Sequence, residues 1–123
     1  MKVKCINIYN EHTKEHESKS SWLTVGKEYI VLTIEVRQNK TSYLIVSDSN
    51  QQPVLQNAIQ FEIVSGKIPK NWQITSGDIV FLVMGPSAWQ EPGFWEDCND
   101  HEPKAMEIYK REARIIYEEE GAF

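Results

Sequence analysis

Residues 85–102, GPSAWQEPGFWEDCNDHE, set three large aromatics, Trp89, Phe94 and Trp95, among five acids, Glu91, Glu96, Asp97, Asp100 and Glu102. Large aromatics bury much apolar area, and an isolated loop rarely needs three of them. Carboxylates resist full burial unless they are paired. Such a segment either clamps the chain's own core or presents aromatic anchors inside an acidic field. The first role is structural and the second is binding; neither is catalysis.

The segment divides two patterns. Before it, short runs alternate with period two. Residues 3–9 (VKCINIY) read as a first strand, and 10–21 as a long polar loop. Gly26 and Lys27 form a turn before 28–36 (EYIVLTIEV), whose β-branched density makes it the clearest strand in the chain. Residues 42–47 follow as a strand, and Asp48, Ser49 and Asn50 close a hairpin, because Asp and Asn tolerate and bond the turn backbone. Pro53 marks an edge or start for the strand holding Val54 and Leu55. Residues 61–64, 72–74 and 78–84 give the last strands. After the segment, Pro103 fits the first turn of a helix. Met106, Tyr109, Ala113 and Ile116 then keep the 3, 4, 3 spacing of one helical face, and Gly121 is placed to cap the end. Glu118, Glu119 and Glu120 stand at the helix's negative end, where the dipole disfavours them.

The chain has 123 residues, enough for one domain with a modest core. The expected organisation is a single domain over 1–123, with a β-barrel over 1–84, an extension over 85–102 and a helix over 103–120. No run approaches the ~18 to 20 apolar residues of a membrane span. The first ten residues read as a strand and not as a signal peptide, so a cytoplasmic location is expected. Cys5 and Cys98 are then expected as reduced thiols. Net charge is −5. Residues 1–88 hold 9 basic and 8 acidic side chains, whereas 89–123 hold 4 basic and 10 acidic. That bias is opposite to a nucleic-acid binder's and favours a basic partner, or simply solubility.

Six or seven short strands, one long polar loop after the first and a terminal helix suggest a small twisted barrel. The order of features resembles SH3-like barrels over residues 1–84. The phrase LTVGKEYIV (23–31) is similar to the strand that follows that family's long first loop. The hairpin at Asp48 and the phrase IPKNW (68–72) are similar to its distal hairpin and short closing turn. The loop that carries an aromatic pair in peptide-binding SH3 domains has no aromatic over 12–20, which speaks against proline-rich ligands. The whole layout resembles small bacterial proteins of unassigned function. In size, charge and lack of a catalytic motif it is similar to immunity proteins that neutralise contact-delivered toxins.

No catalytic constellation stands above its structural explanation. His12 and His16 lack a third ligand, and Cys98 with His101 supplies two of the four ligands a structural zinc needs. Acids around Cys98 disfavour its thiolate. No glycine-rich phosphate loop is present. Trp22 and Trp72 read as core or barrel-end plugs. Two of Trp89, Phe94 and Trp95 are expected to staple the extension to the rest, and one left exposed would anchor a partner. The expected function is therefore a non-catalytic protein-binding module without metal or cofactor: a cytoplasmic immunity protein masking a basic toxin domain of the nuclease class. Its partner-binding residues are Trp89, Glu91, Phe94, Trp95, Glu96, Asp97, Asp100 and Glu102. The alternatives are an SH3-like adaptor in a larger bacterial assembly and, third, a nucleic-acid-binding barrel using Lys67, Lys70 and Trp72.

Overall fold

A computed structural model describes residues 1–17, 20–77 and 80–121. Its strands are β1 (Lys2–Cys5), β2 (Ile8–Asn10), β3 (Glu15–Glu17), β4 (Glu28–Ile30), β5 (Thr33–Arg37), β6 (Lys40–Val46), β7 (Pro53–Asn57), β8 (Phe61–Ser65), β9 (Trp72–Thr75) and β10 (Leu82–Pro86). Helices α1 (Phe94–Asn99) and α2 (Pro103–Glu119) end the chain. The protein is mainly β with a C-terminal helix. The strands form a three-stranded sheet, β4-β1-β8, a five-stranded sheet, β7-β6-β5-β10-β9, and the hairpin β2-β3, with every pair antiparallel. Among the described residues no barrel closes.

The reason lies in the clearest strand of the sequence. The run 28–36 is divided between the two sheets. At the corner, Val31 N–H donates to the Met1 carbonyl (3.0 Å) and Leu32 N–H to the Leu44 carbonyl (2.8 Å). Both side chains are 0% exposed. An apolar run buried on both faces can turn from one layer to the next provided each backbone donor finds a new acceptor. Val3, Cys5, Ile45 and Ile116 complete the innermost core. Each large aliphatic side chain fully buried there contributes about 1.5 to 3 kcal/mol.

Several expectations change. The expected single strand over 3–9 breaks at Ile6 and Asn7, whose N–H groups both donate to the Gln60 carbonyl. The expected polar loop over 10–21 contains the hairpin β2-β3, with Ser18 and Lys19 outside the described residues. Asn10 Oδ1 accepts the N–H groups of His12 (2.8 Å) and Thr13 (3.2 Å), which organises the turn. β3 is exposed throughout, so it has no buried face to print an alternation on the sequence. Trp22, expected as a plug, is 41% exposed; its carbonyl accepts the Asp48 N–H at 3.0 Å. The strand expected over 78–84 runs from Leu82 to Pro86, and Asp78 and Ile79 lie outside the described residues.

Asp48 ties the segment before β4 to the β6-β7 turn. Its carboxylate accepts Lys27 Nζ (2.6 Å), Thr24 Oγ1 (2.7 Å) and the Tyr29 hydroxyl (3.0 Å). Burial alone would raise the Asp48 pKa, but the hydrogen bonds from Lys27, Thr24 and Tyr29 outweigh it and hold the group below the usual aspartate range. Burial, with Asp48 beside it, pushes the Tyr29 phenol up to about 12.

α2 starts at Pro103, as its sequence predicts. Its buried stripe is Ala105, Ala113 and Ile116. Met106 and Tyr109, expected in full contact with the strands, are half-buried and face a groove described below. The acids at its end are engaged by other elements. Lys70 N–H donates to Glu119 Oε2 (2.9 Å), and Lys67 Nζ to the Glu119 carbonyl (2.9 Å). Glu120 Oε1 meets the Met1 amine at 2.7 Å and accepts the Ser65 hydroxyl at 3.1 Å, with its side chain only 7% exposed. Gly121, at φ +75°, ends the helix by donating to the Glu118 carbonyl.

Candidate partner-binding site

The aromatic and acidic segment starts where β10 ends. Gly85 permits the close approach it needs: a Cβ there would sit 2.6 Å from Thr33 Oγ1. A 3-10 turn over Ser87–Gln90 follows. Gln90 fastens it by donating to the Gly85 carbonyl (2.9 Å) and accepting from the Thr75 hydroxyl. Gly93, at φ +79°, then opens α1, a backbone value that a side chain would strain. Glu96 and Asp97 occupy the first turn of α1, the end where the helix dipole favours acids. His101, at φ +59°, turns the chain into α2.

The three aromatics join Tyr109 of α2 in one cluster. Trp89 stacks on Tyr109, with ring centres 5.3 Å apart and planes 24° apart. Trp95 meets Trp89 edge-on at 5.5 Å, Phe94 at 5.1 Å and Tyr109 at 6.1 Å. Such pairs are worth about 0.5 to 1.5 kcal/mol each beyond area burial. Trp89 is 3% exposed and Phe94 is also buried. They staple the segment to α2 and to the five-stranded sheet. Trp95 is half-buried, so the third aromatic is partly open and not fully exposed. Burial pushes the Tyr109 phenol well above its usual range.

The acids of the segment stay accessible. Glu91, Glu96, Asp97, Asp100 and Glu102 are all exposed, and none makes an ion pair among the described residues. Residues 89–102 contain no Lys or Arg, whereas 103–119 contain four of them and four acids. The negative charge of the C-terminal third is thus concentrated on α1 and its flanking turns.

Two depressions meet at this cluster. One, of about 340 Å³, is lined by Glu35, Glu91, Glu96, Trp89, Phe94 and Trp95, with parts of β9 and β10. The other, of about 620 Å³, shares Thr33, Glu35 and Trp95 and runs past Leu44, Leu55 and Met106 to Tyr109 and Lys110. Sequence reasoning did not single out Glu35, Thr33 or Tyr109 for this site. A signal for Glu35 exists: after Glu28 at its start, it is the one further acid in the apolar run 28–36, in register with Val83 and Ser42.

Cys98 is half-buried, and its thiol is pushed up by burial and then by the charge of Asp97. Its Sγ–H approaches the Ala105 carbonyl at 3.6 Å. Among the described residues no group of three His, Cys, Asp or Glu side chains is placed to hold a metal ion. His16 packs edge-on against Tyr9 at 5.5 Å. Of the residues named for a nucleic-acid surface, Trp72 is buried, Lys67 Nζ donates to the Glu119 carbonyl and Lys70 is exposed. No described helix is long and apolar enough to cross a membrane. The chain matches no protein-family model, no curated protein and no solved structure.

Proposed function

We propose that this chain is a non-catalytic acidic binding module, a cytoplasmic immunity protein that masks the basic surface of a nuclease toxin. One observation carries the reading: five exposed acids without a cationic partner among the described residues stand on a turn-helix-turn stapled by four aromatic rings. Nucleases hold phosphate backbones with Lys and Arg. A preorganised negative surface steers such a partner and occludes its active face without ordering a loop on binding. In this reading the two sheets supply the scaffold, and the resemblance to SH3-like barrels rests on the order of sequence features over residues 1–84.

The test is whether a reading frame beside this gene encodes a basic toxin domain and whether the two products associate, followed by stopped flow over a salt series. The triple variant Glu96→Lys, Asp97→Lys, Asp100→Lys is expected to slow association about tenfold or more at low salt. An unchanged rate with unchanged salt dependence overturns the reading. The alternative, an SH3-like adaptor, draws support from the 620 Å³ groove with its apolar Leu44, Leu55 and Met106. Under that reading a partner peptide would protect this groove and bind independently of the acids.

A further inference from the structure

We infer that the 340 Å³ cleft between β5, the Ser87–Gln90 turn and α1 is a receptor for a single arginine side chain of the partner, an inference that rests on the acidic-module reading. Its wall carries three carboxylates, Glu35, Glu91 and Glu96, and three aromatic rings, Trp89, Phe94 and Trp95, and no Lys or Arg among the described residues. The size selects one side chain: pockets for drug-sized ligands span about 300 to 1,000 Å³, and this cleft sits at the bottom of that range.

Glu35 is the central acceptor. Its side chain is 17% exposed, and Oε1 accepts Arg37 Nη2 at 3.0 Å. Oε2 accepts no hydrogen bond from a described residue, and Arg37 itself does not line the cleft. Guanidinium groups combine what this wall offers. They donate to carboxylates in a planar fork, and their flat faces stack on aromatic rings such as the half-buried Trp95. An ammonium has the charge without the plane. Trp89, in the same wall, also has a buried indole N–H with no acceptor among the described residues.

Nα-acetyl-arginine amide is the probe, with the citrulline analogue as its uncharged shape match, titrated while backbone and indole N–H resonances are followed by NMR. Arginine should give saturable shifts at Trp89, Trp95 and Glu35, at least tenfold tighter than citrulline. Glu35→Gln should abolish that preference with the urea midpoint unchanged. Arg37→Ala, which frees Oε1, should tighten arginine binding several-fold, so the inference is also tested by a gain. Equal response to citrulline, or an arginine response indifferent to both variants, overturns it. The two readings separate. If a basic nuclease domain binds at a rate set by Glu96, Asp97 and Asp100 while Glu35→Gln leaves its dissociation unchanged, the cleft inference falls and the module reading stands. If arginine fills the cleft in a Glu35-dependent way and no basic domain is captured, the module reading falls and the cleft inference stands.

Discussion

Glu119 and Glu120 are tied to other elements at the end of α2, whereas Glu96, Asp97 and Asp100 stand in water on α1 and the turn that follows it. All are carboxylates, and a short turn and the 17 residues of α2, about five turns of helix, separate the two sets. The difference comes from what the rest of the chain brings up to them. β8, the 66–71 loop and the N-terminus converge on the end of α2 and supply donors to its acids. Among the described residues no cationic side chain pairs with the acids of α1. One set of acids therefore holds the fold together, and the other is left with unspent charge that only a partner or solvent can meet.

The largest break in this comparison comes from beneath the exposed set. Trp89→Ala removes the ring that stacks on Tyr109 and is expected to cost about 3 to 5 kcal/mol in urea unfolding. A loss below about 1 kcal/mol would mean that the acidic turn is not held by its aromatics. Next is Glu120→Gln, which leaves the Met1 amine without its counter-charge in a site where the side chain is largely buried. The expected loss is about 1 to 3 kcal/mol, read as a shift in urea midpoint with an unchanged slope.

Acid sharpens the same contrast. Burial alone would raise the Glu120 pKa, but the Met1 amine and the Ser65 hydroxyl outweigh it and hold the group below the usual glutamate range. Asp48 is depressed in the same sense. A carboxylate whose folded value lies below its unfolded value contributes stability above the unfolded value, about 4.3 for Glu and 3.9 for Asp, and loses it as pH falls through the folded value. Urea midpoints should thus hold from pH 7 to about 5 and fall below it, and the fall should be shallower in Glu120→Gln and in an Asp48→Asn variant. Equal steepness in all three proteins would show that these pairs do not carry the acid sensitivity. The smallest effect is expected from the reversal of Glu96, Asp97 and Asp100 to Lys. Two of these sites lie in the first turn of α1, where the dipole favours acids, so a loss within about 1 kcal/mol is expected by the same urea assay. A loss as large as that of Glu120→Gln would make the exposed acids structural and erase the distinction.

Much of this was legible from local pattern. Pro103 and Gly121 bracket the helix, and Asp48 to Asn50 close the hairpin between β6 and β7. Two buried aromatics out of three in 89–95 follow from ring size alone. What local pattern did not reveal shares one cause. β3 has no buried face, so it leaves no alternation to detect. α1, within the segment read as an extension, is six residues long and follows two turn pairs, too short for a helical period to show. Ala105 supports the helix stripe in place of Met106, which lines a groove, and residue spacing does not distinguish the two neighbours.

Residue order alone carries the alternation that makes strands, the caps that bound the helix and the excess of acids over 91–102, because each depends on neighbours within a few residues. Packing was needed for the run 28–36 to serve two sheets, for Glu120 to meet the Met1 amine and for Glu35 to share a cleft with Trp95. Those outcomes join residues 12 positions (Leu32 to Leu44) to 119 positions (Met1 to Glu120) apart and rest on which backbone donor finds which acceptor. No local preference encodes a partner that arrives only when distant elements pack.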